Sequence, residues 1–317
     1  MPPALAFTIG DPAGVGPELA VSAARDPRVR RCCRPLLVGS RAVFAQAGWT
    51  SALCPVLDLG PAGPFPKGRS CAEGGRLSYA AVLEAVRLAA KGLVEGLVTA
   101  PISKEAWRLA GAKHLDHTEL LQDLTGTPRV AMMLTAHAPG PSAAVPLRAV
   151  LATRHLPLAR VPSALNYESL RDAAVLAEEA LRSHLGIRRP RLALCALNPH
   201  AGENGLLGHE EERVLKPALA RLRKEGLRLE GPVPADAAWA AHRAGRYDAL
   251  VCLYHDQALI PLKLAAGYSI VNWTLGLPFA RTSPGHGTAF DIAWKRRADA
   301  SGMIAAALLA ARRPFSA

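Results

Sequence analysis

Aromatic side chains are scarce, at 5% of the 317 residues, although half the chain is hydrophobic. The core must therefore be built from Ala, Leu and Val, in an amount ample for one large or two medium domains. Long apolar runs are missing too. No stretch of about 18 uncharged apolar residues occurs, which excludes a transmembrane helix. The opening, MPPALAFTIGDP, has no basic n-region and leads straight into a strand pattern, so no signal peptide is expected. No CxxC pair is found among Cys32, Cys33, Cys54, Cys71, Cys195 and Cys252. Cys195 and Cys252 lie inside apolar runs, and all six read as reduced packing residues of a cytoplasmic protein. The G-x-G-x-x-G fingerprint is absent, because Gly10, Gly14 and Gly16 do not keep its spacing. Acidic residues are in deficit, 26 against 38 Lys and Arg, for a net charge of +12. The densest basic cluster, Arg25 to Arg34, is broken by Asp26 and Pro27 and has few aromatics around it. Nucleic-acid binding is not expected. The charge suits a field that draws anionic substrates and dinucleotides into a cleft.

The chain centres on residues 248–291. Ala249 to Leu253 is an apolar run that stops at Tyr254-His255-Asp256-Gln257. Such a run reads as a buried parallel strand, and ligands bind beyond the carboxyl ends of such strands. Two further runs end alike: Ala149–Arg154 enters His155, and Leu192–Leu197 enters Asn198-Pro199-His200. Neutral imidazole is the commonest protein ligand for a divalent metal. Three protein ligands with one open position is the pattern of a catalytic metal site. The plainer reading of each is a solvated histidine in a surface loop.

The order of elements reads as alternating strands and helices. Leu5–Ile9 is a first strand, and the glycine loop after it lets backbone approach a ligand at a helix start. A strand at 35–39, a loop at 54–76, a helix from Ser78 to Ala90 and a strand at 96–100 follow. Ser40, Ser103, Thr118 and Asp236 are candidate helix caps. Strands at 130–134 and 149–154 flank a Gly/Pro/Ala loop at 136–146. Helices are expected over 168–185 and 210–223, a short one from near Pro261 to Gly267, and a closing one over 301–311. Lys263, Asn272 and Arg281 offer two cations and an amide, which suit a small phosphate or carboxylate substrate.

Six motifs in order carry a resemblance over nearly the whole chain: TIGDPAGVGPE (8–18), VTAPISKE (98–105), HTE (117–119), LNPHAGE (197–203), YHDQ (254–257) and NWTLGLPFARTSPGHGTAFD (272–291). The sequence resembles the 4-hydroxythreonine-4-phosphate dehydrogenases of pyridoxal phosphate synthesis. That resemblance implies an α/β fold like that of isocitrate and isopropylmalate dehydrogenases: two domains, mostly parallel sheets flanked by helices, and an active site in the interdomain cleft. One domain would comprise 1–130 with 268–317, the other 131–267, the latter carrying dimerisation and metal ligands. His155, His200 and His255 would bind a divalent metal, Zn, Mg, Co or Mn. His117, Thr118, Lys263, Asn272 and Arg281 would contact substrate. The site would be completed by both subunits of a homodimer. Asp116, Trp273 and Gly285 depart from the family's usual residues without removing a proposed contact.

HGTAFDIA, 286–293, is similar to the adenosine-binding loop of the isocitrate and isopropylmalate dehydrogenases. Gly276, His286, Gly287, Thr288 and Asp291 would then bind NAD, with the Asp291 carboxylate on the ribose and repelling a 2′-phosphate. The implied reaction is metal-dependent, NAD-linked oxidation and decarboxylation of 4-phosphooxy-L-threonine to 3-amino-2-oxopropyl phosphate and CO2. Lys263, His117 and Asp256 are the candidate general bases. The alternatives are a dehydrogenase of a phosphorylated sugar acid, such as erythronate or threonate 4-phosphate, and a non-redox metal- or anion-binding protein.

Overall fold

The structure is a computed structural model that describes residues 1–60, 63–136 and 146–312. Most of the loop expected at 136–146 lies outside the described residues. In chain order the elements are β1 (Ala4–Thr8), α1 (Gly16–Arg25), α2 (Pro27–Cys32), β2 (Arg34–Gly39), α3 (Arg41–Gln46), β3 (Val56–Asp58), α4 (Ala72–Ala90), β4 (Gly96–Thr99), α5 (Lys104–Leu109) and α6 (His117–Thr125). Then come β5 (Ala131–Ala136), β6 (Leu147–Leu151), α7 (Val161–Ala164), α8 (Tyr167–Ser183), β7 (Leu192–Cys195), α9 (Lys216–Lys224), β8 (Leu229–Val233), α10 (Ala235–Arg243), β9 (Ala249–Cys252), α11 (His255–Ala266), β10 (Val271–Leu275), β11 (Ala280–Pro284) and α12 (Ser301–Ala310). The chain divides into two compact units, residues 1–128 with 271–312, and residues 129–270.

Unit 1 has the strand order β3-β2-β1-β4-β11-β10. All neighbours are parallel except β10, which pairs antiparallel with β11. β1 and β4 read Leu-Ala-Phe and Gly-Leu-Val because both faces of the sheet are covered. Leu5, Phe7, Leu37, Leu97 and Trp107 are fully buried in this core. Unit 2 has the order β5-β6-β9-β7-β8, with β5 antiparallel to β6 and the rest parallel. Ala149, Leu250, Cys195 and Cys252 pack among the buried residues on one of its faces.

Several local expectations are corrected. α4 begins at Ala72, inside the stretch read as loop, with Cys71 Sγ accepting the Gly74 N–H. Gly75 hides this start from a propensity reading. A Cβ there would lie 2.0 Å from the Ala106 carbonyl oxygen, so only glycine lets α4 and α5 pack this closely. α6 is capped by Asp116, whose Oδ1 accepts the Glu119 N–H at 3.0 Å; Thr118 is one residue inside the helix. Ser40 makes no capping bond, and Asp236 lies within the first turn of α10 behind Pro234. Ser103 does cap α5, accepting the Ala106 N–H.

The helix after His255 also starts earlier than expected. α11 runs from His255 straight through Pro261. A proline inside a helix leaves the carbonyl four residues back without its bond. That carbonyl is Gln257 O, and it accepts Trp239 Nε1–H at 2.9 Å instead. The tertiary contact removes the cost on which the shorter helix was predicated. The helix expected over 210–223 is split into a wide π-turn, Glu211–Leu215, and α9.

Candidate functional site

In unit 1 the carboxyl ends of β1, β2, β4 and β11 lie along one edge, the edge at which open α/β sheets bind ligands. Antiparallel pairing puts Thr274 opposite Arg281 and Asn272 opposite Ser283, so all four share one face of the β10–β11 hairpin. Arg281 is only 2% exposed. Its Nε and Nη2 donate to Thr99 Oγ1 at 3.2 and 2.7 Å, and its Nη1 donates to Thr274 Oγ1 at 2.9 Å. No carboxylate is within ion-pair distance of it among the described residues. Burial draws its pKa down to about 10, with Asp116 opposing, so the guanidinium stays charged at neutral pH. A buried cation held only by neutral hydroxyls is chemically suited to pair with an anion.

His117 opens α6 and stacks edge-on to Trp107, ring centroids 5.4 Å apart. Its Nε2 is buried and has no partner. Burial, and then the nearby Arg281 charge, hold its pKa well below the usual histidine range, so the ring is neutral. Asn272 Oδ1 is likewise buried without a partner. Thr118 is half-buried in the same helix turn as His117. Unsatisfied buried polar atoms carry a cost of about 1–3 kcal/mol each, and here two of them accompany an uncompensated arginine.

Residues 286–291 follow β11 at this same edge. Thr288 O accepts the Val15 N–H at 3.0 Å. A Cβ at Gly14 would lie 2.7 Å from that oxygen, so Gly14 permits the close approach. Glu18 binds the next turn, its Oε2 and Oε1 accepting the N–H groups of Trp294 and Arg296 at 2.7 and 3.0 Å. Trp294 Nε1 donates to Pro12 O at 2.9 Å. The GDPAGVGPE loop is thus the bed of the 286–296 loop. Asp291 is exposed, and its backbone oxygen accepts Lys295 Nζ. His286 Nδ1 lies 3.0 Å from Gly287 O. Gly276, at φ 90°, turns the hairpin between β10 and β11. β11 separates it from 286–291, so the structure does not bring it to that loop.

Asp11 in the glycine loop carried no expectation. It is fully buried; its Oδ1 accepts the Ala13 N–H at 2.9 Å and its Oδ2 has no partner. Burial pushes its pKa up to about 6, with the Ala13 bond opposing.

In unit 2 the three histidines leave three adjacent parallel strands at the same edge: His155 beyond β6, His255 beyond β9 and His200 beyond β7. The rings of His155 and His255 lie 5.9 Å apart, centroid to centroid. Asp256 Oδ1 lies 2.7 Å from His255 Nδ1. A carboxylate there fixes the tautomer with Nε2 free to ligate. His155 and His200 both have left-handed backbone, at φ 49° and 52°. From His200 to Asn204 five successive residues have φ between 42° and 78°. A left-handed conformation costs a non-glycine residue about 1–2 kcal/mol, and such strain clusters where function needs it.

The donor chemistry fits a divalent metal, with two imidazoles close together, their planes tilted by 47°, and one of them held by a carboxylate. Among the described residues of one chain, no three His, Cys, Asp or Glu side chains gather closely enough to hold it. Lys263 is exposed on α11. That helix also exposes Ile260 (57%) and Leu264 (85%) at helical spacing, with Tyr268 (69%) just beyond.

The chain is similar to known proteins over nearly its whole length. The family model described as pyridoxal phosphate biosynthetic protein PdxA matches residues 31–310. The chain is 40% identical to the 4-hydroxythreonine-4-phosphate dehydrogenase of Desulforapulum autotrophicum, over 98% of this chain and 95% of that one. A crystal structure of 4-hydroxythreonine-4-phosphate dehydrogenase from Klebsiella pneumoniae superposes with a TM-score of 0.84, at 35% identity and 99% coverage of both chains. At the level of fold alone, a β-decarboxylating dehydrogenase from Thermococcus kodakarensis matches with a TM-score of 0.52 at 15% identity, covering 96% of this chain and 81% of that one.

Proposed function

The chain belongs to the PdxA family of oxidoreductases, and from that membership we propose that it oxidises and decarboxylates 4-phosphooxy-L-threonine with NAD, giving 3-amino-2-oxopropyl phosphate and CO2 for pyridoxine 5'-phosphate synthesis. The relatives' names favour this aminated substrate over the phosphorylated sugar acids. One observation carries the reading: Arg281 is a buried, charged guanidinium with no carboxylate in ion-pair distance among the described residues, accompanied by unpartnered atoms of His117 and Asn272. An anionic substrate with hydroxyl and amine groups supplies Arg281 with an opposite charge and the other two with hydrogen-bond partners.

When bound, the metal lowers the pKa of a substrate hydroxyl and polarises a carbonyl, and the nicotinamide of NAD accepts hydride. The protein's own groups bind and orient. Arg281 and Lys263 hold the anionic ends. His117, kept neutral, offers Nε2 to the substrate as a hydrogen-bonding group rather than a charge, with Thr118 and Asn272 beside it. His155, His200 and His255 hold Zn, Mg, Co or Mn, and Asp256 orients His255. Of the three candidate bases, Asp256 is engaged by His255 and His117 is made a weak base by burial and then by the Arg281 charge, which leaves Lys263 to move the proton. His286, Gly287, Thr288 and Asp291 cradle the adenosine of NAD, on the bed made by residues 12–18.

The site works in a homodimer. Exposed apolar side chains follow each histidine: Leu156 and Leu158, Leu206 and Leu207, and Ile260 and Leu264. Exposed apolar side chains of this kind suit an association surface, and a second copy that covers them supplies the donors one chain does not gather. No helix among the described residues is long and apolar enough to cross a membrane. All six cysteines are free, and the thiols of Cys195 and Cys252 share a hydrogen bond at 3.9 Å, as suits the reducing cytoplasm.

The test is NADH formation with 4-phosphooxy-L-threonine beside erythronate 4-phosphate, before and after metal chelation. Metal-dependent turnover of the first is expected. Preference for the second, or turnover that survives chelation, refutes the assignment.

A further inference from the structure

A continuous run of hydrogen bonds crosses the three strand exits that carry the histidines. Thr153 Oγ1, two residues before His155, donates to Leu253 O at 2.7 Å. Leu253 N donates to Gln257 Oε1 at 2.7 Å, and Gln257 Nε2 donates to Ala196 O at 2.8 Å. Gln257 is two residues past His255, and Ala196 is at the exit of β7. The run continues into Glu211. Its Oε1 accepts the N–H groups of Leu197 and Asn198, both at 2.8 Å, and its Oε2 accepts Asn198 Nδ2 at 2.9 Å.

Glu211 is an unusual group to find there. It is 1% exposed, and its bonds are to neutral N–H donors. It opens the π-turn, a geometry frequent at functional sites. The loop it grips closes on it: a Cβ at Gly202 would lie 2.9 Å from Glu211 Oε2. Two residues before that glycine stands His200, at the head of the left-handed run. The grip therefore flanks His200, with Asn198 two residues before it and Gly202 two residues after it.

We propose that Gln257 and Glu211 are positioning residues that hold the three histidine-bearing strand exits in place before metal binds. This rests on the reading of His155, His200 and His255 as metal ligands. Outer partners of ligating groups typically change metal affinity 10- to 100-fold when removed. A staple that serves only the fold would instead lower the unfolding midpoint and leave affinity alone.

The experiment titrates Co2+ into the full-length, metal-stripped protein and follows its visible absorption bands. It compares wild type, Glu211→Gln, Gln257→Met and His200→Ala, with the unfolding midpoint of each metal-free protein measured alongside. Glu211→Gln keeps the shape but turns an amide N–H2 toward Asn198 Nδ2; Gln257→Met keeps the volume and loses both bonds. Each is expected to weaken Co2+ binding 10- to 100-fold and to alter the bands, at temperatures where the metal-free variant remains folded. If His200→Ala loses Co2+ while both folded positioning variants bind within twofold of wild type, the positioning role is overturned and the ligand reading stands. If His200→Ala binds as wild type does, both fall. Should Glu211→Gln fail to fold, Gln257→Met decides alone.

Discussion

Arg281→Met separates a substrate grip from a core support. In the ligand-free protein the arginine is a liability. Its pKa falls from 12.5 to about 10 through burial, which sets about 3 kcal/mol against the charged native state. A base whose native pKa is lowered carries that cost at every pH below about 10. Methionine removes the cost but gives up three hydrogen bonds to Thr99 and Thr274, worth about 1 kcal/mol each. The two sums nearly cancel, so the free energy of urea unfolding without ligand is expected to stay within about 1 kcal/mol of wild type. Substrate binding does not cancel. Two N–H groups on an anion contribute about 1.5–3 kcal/mol each, and about 3 kcal/mol is roughly a hundredfold in affinity. Initial rates should show KM raised about 100-fold or more. A KM near that of wild type with stability lowered by 3 kcal/mol or more would refute the reasoning and make Arg281 a structural residue.

Asp11→Asn tests the buried carboxyl. Because its pKa is raised from 3.8 to about 6, native wild type is favoured while the group is protonated, and that advantage is lost as pH rises through about 6, amounting to about 3 kcal/mol by pH 8. Urea midpoints from pH 4 to 8 should show the variant gaining on wild type as pH rises, and parallel curves would contradict the shift. Leu264→Glu places a charge in the exposed stripe of α11; light scattering should find monomer with metal-dependent activity lost, and an unchanged dimer would remove that stripe from the interface. Asp291→Ser should narrow the preference for NAD over NADP at least tenfold, as measured by kcat/KM for each coenzyme. An unchanged ratio would move the ribose contact elsewhere.

What was legible in the sequence was what local chemistry writes into consecutive residues. Apolar runs gave the parallel strands, and three of them gave histidines at one edge. The motif from Asn272 to Asp291 contains Asn272 and Arg281, which the β10–β11 pairing puts on one face. What was illegible depended on contacts far along the chain. Pro261 looks like a helix start until Trp239 is seen to take the carbonyl it frees. Gly75 looks like a loop residue until Ala106 is seen against it. Glu211 falls inside the helix expected over 210–223, and only the structure turns it toward Leu197 and Asn198. Asp11 carried no expectation, because burial has no local signature. Thr99 and Thr274 carried no charge to draw notice, yet they hold Arg281.

The interleaving of the two units has a consequence for synthesis. By the time residue 270 has left the ribosome, every strand of unit 2 exists in one continuous stretch. Unit 1 is then still short of β10 and β11, and β11 belongs beside β4, about 180 residues earlier in the chain. Its sheet must wait with β4 open on one flank while the other unit is complete. A nascent chain that stops near 270 therefore presents a finished unit joined to an unpaired parallel strand, the kind of edge that invites association or proteolysis. The β10–β11 hairpin that carries Arg281 is made only after the whole of unit 2.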